Sequence, residues 1–325
     1  MKALVTGGAG FVGSHLTKEL VASGNEVTVF DNVDRGNRDR LDPVLDKITF
    51  VEGDIRSEGK LKDASDNPDV IFHLAAINGT KHFYDRPMDV LDVNLAGTRN
   101  IVNLANEQNV DRVLFTSSSE VYGFPREFPT PEEHPLQIMD SENPRYSYAG
   151  GKIVGEQYVI HGATEDGYDY TIVRPHNLYG PEMGYDHVIP EFIERILNDE
   201  KFTVYGDGTQ TRSFCYISDA INAITTSVTR TEGANEIYNI GTQDEITINE
   251  LAKHLFDIAE VNPKIEHIES KELSGSPKRR QPDISNAKGG LDYDPQVSLS
   301  SGLERTFDAY CRDLIGVTAD KWRSS

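Results

Sequence analysis

The sequence predicts an α/β protein: a doubly wound parallel sheet with a smaller C-terminal α/β lobe. Over roughly the first 175 residues, short apolar runs alternate with helix-like segments, which is typical of a parallel sheet with helices on both faces. The apolar runs are nearly continuous and do not alternate with polar residues. Strands of that kind are expected where both faces of a sheet are covered.

The elements of this sheet can be assigned in chain order. The run at 2–6 ends at glycines, and residues 11–23 place apolar side chains at 12, 16 and 20, on one face of a helix. A long helix is predicted over about 85–107. Four further strands are predicted at 26–31, 48–54, 69–76 and 112–119.

The pattern changes after about residue 175. Pro and Gly cluster over 175–190, and beyond them shorter strands and helices alternate less regularly. We therefore expect a first domain over 1–175 and a smaller lobe over 176–315 that is interleaved with it. Residues 316–325 are expected to be a loose tail.

Composition argues against several classes of function. The 325 residues carry a net charge of −21, which disfavours nucleic acid and anionic membranes as partners. The two cysteines, Cys215 and Cys311, are too few for a disulfide framework or a metal cluster, so no metal is expected. No apolar run is long enough to cross a bilayer and no signal peptide is recognisable, so a cytoplasmic protein is expected.

A glycine-rich loop joins the first strand to the first helix. TGGAGFVG places Gly7, Gly10 and Gly13 where a backbone must turn tightly and approach a pyrophosphate at a helix N-terminus. Asp31 closes the next strand, at the distance expected of a dinucleotide site. An acid there accepts hydrogen bonds from a ribose 2′-hydroxyl and repels a 2′-phosphate. The pattern therefore predicts NAD as the cofactor in preference to NADP.

Three neighbouring residues leave alternatives open. Arg35 and Arg38 follow Asp31 closely and would weaken the preference for NAD. Asp54, after the third strand, is either an adenine contact or a cap of its own loop.

A second pattern, YSYAGGK, places Tyr148 and Lys152 one helical turn apart. A free tyrosine has a pKa of about 10 and is a poor base at neutral pH. The ammonium group of Lys152 and a cationic nicotinamide ring would both favour the phenolate. We therefore predict a lowered pKa for Tyr148, so that it removes a proton from a sugar hydroxyl. The alternative is a surface Tyr and Lys with no chemical role.

These motifs, in this order, resemble the extended short-chain dehydrogenase/reductase family, in its sugar-nucleotide epimerase/dehydratase branch. The resemblance covers nearly the whole chain. It rests on TGGAGFVG, FDN, GDI, HLAA, NLAGT, SSSEVYG, YSYAGGK, RPHNLYGP and YGDGTQTRSFCYISD. It implies a Rossmann-type sheet, NAD as the cofactor, a nucleotide-diphosphate sugar as the substrate, and a homodimer formed through the helices at about 85–107 and 146–165.

The resemblance assigns the cofactor site residue by residue. Tyr148 would be the acid/base, and Lys152 would bind the nicotinamide ribose. Asn94 would support the helix that carries them, and Pro175 would meet the nicotinamide carboxamide. The remaining expected cofactor contacts are Gly7, Gly10, Phe11, Val12, Asp31, Asn32, Asp54, Ile55, Leu74, Ala75 and Ala76.

The substrate site is assigned in the same way. Ser118 would share the proton of the sugar O4 hydroxyl, and Asn177 would contact the diphosphate. Arg212 and Arg280 would clamp the diphosphate, since a planar guanidinium binds phosphate oxygens in pairs; surface salt bridges are the alternative. The remaining expected substrate contacts are Val188 and Tyr205, whose alternative is an ordinary core position.

Glu120 is the residue most informative about the reaction. The family opens with oxidation at C4 of the sugar, and its members then epimerise, dehydrate or decarboxylate. Simple 4-epimerases usually carry a small or hydroxyl residue at this position, and 4,6-dehydratases carry Asp where this chain has Ser119. The Ser-Glu pair and Arg280 are similar to UDP-glucuronate decarboxylases, whereas RPHN and the loop at 77–87 differ from them.

We expect from this resemblance an NAD-dependent nucleotide-sugar epimerase. Its catalytic residues would be Tyr148, Lys152, Ser118 and Glu120. The alternatives are a UDP-glucuronate decarboxylase, a nucleotide-sugar dehydratase and, in a different class, a non-catalytic nucleotide-binding regulator.

Overall fold

The computed structural model describes residues 1–269 and 275–324, and its centre is a seven-stranded sheet in which every neighbouring pair is parallel. The strand order is β11-β6-β5-β4-β1-β2-β3. The strands are β1 Lys2–Thr6, β2 Glu26–Asp31, β3 Ile48–Glu52, β4 Val70–His73, β5 Arg112–Thr116, β6 Asp169–Pro175 and β11 Glu236–Ile240. The predicted fold class and the first five strands are confirmed.

The two faces of the sheet are covered by different sets of helices. One face packs against α1 Phe11–Ala22 and α8 Ile217–Thr229, and α11 Leu299–Ile315 packs on elements of the smaller lobe. The other face packs against α4 Pro87–Asp92, α5 Thr98–Glu107 and α6 Tyr146–Asp166. Successive strand residues such as Leu4 and Val5 enter opposite apolar clusters, which explains the continuous apolar runs.

The long helix predicted at about 85–107 is present and contains an irregular turn. Helices α4 and α5 are joined by a π-helical turn, Val93–Gly97, so the chain stays helical from Pro87 to Glu107. Such turns place an extra residue in the helix and often lie near functional sites. Here the turn carries Asn94, next to helix α6.

The smaller lobe is made of short elements at the carboxyl end of the sheet. Its two- and three-residue strands are β7 Leu178–Tyr179, β8 Thr203–Tyr205, β9 Thr211–Ser213, β10 Cys215–Tyr216, β12 Glu245–Thr247, β13 Glu266–Ile268 and β14 Arg279–Arg280. Its further helices are α7 Val188–Leu197, α9 Ile248–Ala259 and α10 Ser285–Leu291. Strand β11 lies between these segments in sequence but pairs with β6 in the main sheet, so the two parts are interleaved.

The remaining α-helices of the described residues are short. They are α2 Glu58–Ala64, α3 Thr80–Asp85 and α12 Ala319–Arg323. The last of these differs from the expected loose tail, because Trp322 packs its ring on Phe307 and Arg323 donates to the carbonyl of Ile258 at 2.8 Å. Among the described residues, no helix combines the length and the apolar character needed to cross a membrane.

Candidate active site

Two adjoining clefts open at the carboxyl ends of the strands, where parallel sheets bind their ligands. The first, here called the cofactor cleft, is lined by the loop between β1 and α1 and by the ends of β2, β3 and β4. The second, the substrate cleft, lies between the end of β5 and the smaller lobe. Both are lined by Tyr148, which therefore stands at their junction.

The glycine loop shapes the cofactor cleft through close backbone contacts. Gly7 has a φ of 73°, and a Cβ there would lie 2.7 Å from the amide nitrogen of Ala75. A Cβ on Gly13 would lie 2.1 Å from the carbonyl oxygen of Gly7. Gly10 is the N-cap of α1 and offers no side-chain cap, so the first amides of the helix remain for a phosphate group. This backbone cradle fits a pyrophosphate.

Asp31 is fixed by the backbone at the far end of the cleft. Its two carboxylate oxygens accept hydrogen bonds from the amides of Ala9 at 2.9 Å and Val33 at 2.8 Å, and burial raises the pKa of Asp31. Of the two arginines that would weaken a preference for NAD, Arg35 lines the cofactor cleft and is paired there, whereas Arg38 does not line it. Arg35 pairs with Asp186 at 2.7 Å, and Arg38 lies over the ring of Phe50.

The cofactor cleft brings together most of the predicted cofactor residues. Its walls contain Gly7, Gly10, Phe11, Val12, Asp31, Asn32, Asp54, Ile55, Leu74, Ala75, Ala76, Tyr148 and Lys152. Pro175 instead lines the substrate cleft. Asp54 also accepts the amide hydrogen of Arg56 at 2.8 Å, so it caps its own loop while lining the cleft. The sequence analysis missed Arg40, which lines this cleft too.

Asn94 lies behind the cleft wall and not in it. Its side-chain amide donates to the carbonyl of Val90 at 2.8 Å. A Cβ on Gly151 would lie 2.7 Å from Cβ of Asn94, so α6 approaches the π-helical turn at its closest just between Tyr148 and Lys152. The supporting role of Asn94 stays a prediction.

Tyr148, Ser118 and Lys152 form the predicted catalytic group. Tyr148 is 5% exposed, has Ser118 beside it, and stacks its ring on Phe83 at 5.0 Å between centroids. Lys152 donates to the carbonyl of Thr116 at 2.8 Å and lies beside the rings of Phe115 and Tyr148. The sequence motif thus places the phenol between a hydroxyl and an amine at the junction of the clefts.

The electrostatics of this group differ from the expectation. Burial and the charge of Glu120 raise the pKa of Tyr148, while Ser118 opposes them. Burial lowers the pKa of Lys152 to about 7, opposed by Glu156. The groups of the chain alone therefore do not lower the pKa of the phenol, and the cationic nicotinamide is the remaining source of the predicted lowering.

A buried ion pair, which the sequence analysis missed, supports this group from behind. Glu156 follows Lys152 by one turn of α6 and receives two hydrogen bonds from Arg174, at 2.9 and 2.7 Å. Both side chains are 3% exposed, and Glu156 also accepts from the hydroxyl of Ser117. Breaking such a pair costs several kcal/mol, so it fixes α6 against the end of β6.

The substrate cleft contains most, but not all, of the predicted substrate residues. Its walls include Ser118, Glu120, Asn177, Val188 and Arg280. Tyr205 does not line it and lies in β8, where the guanidinium of Arg195 stands 5.8 Å from its ring centroid. Arg212 lies behind the wall, where it pairs in register with Arg280 between β9 and β14. The sequence analysis missed Phe83 and Phe214, which are apolar parts of the wall.

A charged cluster closes one end of the substrate cleft. One oxygen of Glu120 lies 2.8 Å from Nη2 of Arg280, and the other lies 3.1 Å from Nη2 of Arg145. Burial would raise the pKa of Glu120, but Arg280, Arg145 and Arg212 together lower it to about 2. Burial and the charge of Arg280 lower the pKa of Arg212 to about 9. Three guanidinium groups thus face one carboxylate and leave a surplus of positive charge for an anion.

Arg145 is the member of this cluster that the sequence analysis overlooked. The one available signal was its place three residues before Tyr148 at the start of a helix. In the described part of the chain, no group of His, Cys, Asp and Glu side chains is arranged to hold a metal ion.

The arrangement suits removal of hydrogen from a carbinol. A sugar hydroxyl in the substrate cleft beside Ser118 and Tyr148 would give its proton to the phenolate form of Tyr148. When bound, NAD supplies the acceptor for the hydride that leaves the same carbon. The surplus charge at Arg280 and Arg212 would attract a negatively charged group of the substrate.

Comparisons with known proteins agree with this reading. The sequence pattern of the NAD dependent epimerase/dehydratase family matches residues 3–241. A UDP-N-acetyl-alpha-D-glucosaminuronate decarboxylase of Bacillus cytotoxicus is 36% identical over 313 residues, which are 94% of this chain and 96% of that protein. A putative UDP-glucose 4-epimerase of Methanocaldococcus jannaschii is 34% identical over 93% of this chain and 96% of that one.

A solved structure gives the same result for the fold. The dTDP-glucose 4,6-dehydratase DesIV of Streptomyces venezuelae, solved with NAD bound, superposes with a TM-score of 0.89 at 32% identity, over 97% of this chain and 98% of that one. The three proteins are named for different reactions: a decarboxylase, a 4-epimerase and a 4,6-dehydratase. The chain therefore belongs to the NAD dependent epimerase/dehydratase family and is an NAD-dependent enzyme of nucleotide sugars.

Proposed function

We propose that the protein is a UDP-sugar 4-epimerase that works through a transient 4-keto sugar. The observation that favours this choice over dehydration is the state of Glu120, whose two oxygens are both paired with arginines. Among the described residues that line the substrate cleft, Glu120 is the one carboxylate. Epimerisation at C4 needs only Tyr148, Ser118, NAD and room for the keto sugar to turn.

Dehydration is disfavoured by the same observation. It requires a base that takes the C5 proton and an acid that protonates the leaving C6 hydroxyl. A carboxylate with a pKa of about 2 and both oxygens bound to guanidinium groups is a poor base for a C–H bond and carries no proton to give.

Decarboxylation of a UDP-hexuronate is the second candidate. A 4-keto uronate is a β-keto acid, which loses carbon dioxide without a base at C5, so the paired state of Glu120 does not oppose it. The surplus of positive charge around Glu120 would tolerate a sugar carboxylate, and the relative from Bacillus cytotoxicus is named as a decarboxylase. The diphosphate alone would also satisfy that surplus.

Product analysis separates these reactions. The holoenzyme is incubated with UDP-glucose, UDP-GlcNAc, UDP-glucuronate, UDP-N-acetylglucosaminuronate, and GDP- and dTDP-hexoses, and products are identified by mass and NMR. A product of unchanged mass with inverted C4 is expected. Loss of carbon dioxide would establish the second candidate, and loss of water would contradict the role given to Glu120. No product from any of them would favour a non-catalytic regulator.

Glu120→Gln tests whether the reaction is an epimerisation or one in which Glu120 transfers a proton. Epimerisation is expected to persist within about tenfold of the wild-type rate, because no proton passes through this residue; a loss of 10²-fold or more is the range of a true acid or base. Thermal unfolding of both proteins controls for the two arginines left without their partner.

The oligomeric state and the cellular location are proposed from the exposed apolar side chains and the net charge of the chain. The outer faces of α4 and α6, which pack side by side, expose Met88, Val154 and Tyr158, and an exposed apolar patch of this kind suits a second copy of the chain. We propose a homodimer through this face, in the cytoplasm, without nucleic acid or membrane partners, as the charge of −21 suggests. Light scattering should show a dimer for the wild type and a monomer for Val154→Glu. A dimer in both proteins would contradict this interface.

A further inference from the structure

Glu120 lies where three parts of the molecule meet. It follows Ser118 in the loop after β5, and Ser118 accepts its amide hydrogen at 3.1 Å. Arg280 reaches it from β14 in the smaller lobe. Arg145 reaches it from the start of α6, the helix that carries Tyr148 one turn further on.

The two arginines differ in what else they can contact. Arg280 lines the substrate cleft, whereas the side chain of Arg145 is 6% exposed and is not part of the cleft wall. An anionic substrate can therefore compete with Glu120 for Arg280 but not for Arg145. With substrate bound, Arg145 is the counterion that stays on Glu120.

We propose that Arg145 is a positioning residue that neutralises Glu120 during turnover, so that the carboxylate does not oppose formation of the Tyr148 phenolate. This proposal rests on the proposed function, because it assigns Arg145 a part in the same acid–base step. Among the described residues, the charged and titratable groups that act on Glu120 are Arg145, Arg212, Arg280, Tyr146 and Tyr148. Of these, Arg145 is the cation on the same helix as the phenol.

The direction of the effect follows from the charges. Glu120 raises the pKa of Tyr148, and a nearby cation screens that influence. Without Arg145, and with Arg280 drawn to the substrate, the phenol should need a higher pH to ionise. Substrate binding should change little, since Arg280 and Arg212 remain.

The test is the pH dependence of kcat and KM in holoenzymes of wild type and Arg145→Met. We expect kcat at neutral pH to fall about tenfold or more, which corresponds to a shift of about one pH unit. The loss should recover as the pH is raised, and the Kd for UDP, measured by calorimetry, should stay within about threefold. Arg145→Lys, which keeps the charge, should return the pH profile towards wild type.

Removing the carboxylate gives the sharpest check. In a Glu120→Gln background there is no charge to neutralise, so Arg145→Met should lower kcat far less than it does in the wild type. A purely structural role predicts the same loss in both backgrounds. If Arg145→Met fails to fold, Arg145→Gln keeps a hydrogen-bond donor without the charge and should show the same upward shift.

Arg112→Met is the matched control. Arg112 is also largely buried, but it lies at the opposite end of β5, where it donates to the carbonyls of Ser227 and Val228. Its loss should lower stability without moving the pH profile. An unshifted profile in Arg145→Met, or a loss of UDP binding as large as the loss of kcat, would overturn the role of Arg145. A wild type inactive on every UDP-sugar would overturn the proposed function itself.

Discussion

The cofactor cleft and the substrate cleft adjoin at Tyr148 but are built in different ways. The cofactor cleft takes most of its wall from the first 78 residues, and its shape depends on glycine backbone packed against neighbouring backbone. The substrate cleft gathers residues from Phe11 to Arg280, and one end of it is closed by charged side chains that reach across from different elements. A local backbone motif is visible in a sequence, whereas a cluster assembled from distant segments is not.

The largest expected effect is on the backbone-built cleft. Gly13→Ala places a Cβ 2.1 Å from the carbonyl oxygen of Gly7, which only a movement of the loop can relieve. We expect loss of bound NAD, with or without loss of the fold, measured by the nucleotide released on denaturation and by thermal unfolding. Gly59→Ala is the control, because nothing lies within 4 Å of a Cβ at that position, and it should retain NAD. Wild-type NAD content in Gly13→Ala would contradict the backbone account.

The cofactor cleft could be predicted from the sequence more fully than the substrate cleft, because its residues lie in a few local segments. The five N-terminal strands and the glycine loop are long or distinctive segments, and their residues act close to one another in sequence. Strands of two or three residues such as β7 and β14 carry too few side chains to show a pattern. The sequence did not indicate that Tyr205 lies outside the wall of the substrate cleft or that Arg145 pairs with Glu120, because both facts depend on contacts between segments far apart in the chain.

The next largest effect is expected at the junction of the clefts. Tyr148→Phe removes the phenolic oxygen while keeping the ring stacked on Phe83, so turnover should fall by about 10²- to 10⁴-fold with NAD still bound. Tyr168→Phe is the matched control, since this buried tyrosine makes only a long bond of 3.4 Å to the carbonyl of Val159. Steady-state rates of both variants measure this. Near-wild-type turnover in Tyr148→Phe would refute the assignment of Tyr148 as the acid/base.

A smaller effect is expected on stability at mildly acid pH. Burial lowers the pKa of His73 and of His176 to about 3, so below about pH 6.5 the unfolded chain binds more protons than the folded one. Stability should therefore fall as the pH falls, by roughly 1.4 kcal/mol for each of these histidines between pH 7.5 and 5.5. Urea unfolding at the two pH values measures this.

His176→Phe sharpens the same prediction. It removes one titrating group, so the loss of stability between the two pH values should be smaller by about the contribution of one histidine. An identical slope in wild type and His176→Phe would show that this residue does not titrate as the structure indicates.

The smallest effect is expected at a partly exposed ion pair beside the cofactor cleft. The pairing of Arg35 with Asp186 joins the loop after β2 to the loop before α7, and both arginine and loop line the cofactor cleft. Because the pair is partly exposed, it is worth at most about 1 kcal/mol, so Asp186→Asn should speed NAD release by no more than about fivefold. Asp66→Asn, which loses an exposed pair with Lys2, is the control. Faster release in the control alone would contradict the role of this pair.

The central claim is that C4 of a UDP-sugar is oxidised and then reduced again within one turnover. Its most direct test is the fate of deuterium placed at C4 of the substrate that the product analysis identifies. The account predicts that the product keeps the deuterium at C4, even in ordinary water and after many turnovers. Deuterium lost to the solvent, in a product formed at the full rate, would mean that the hydrogen leaves as a proton and would contradict the account.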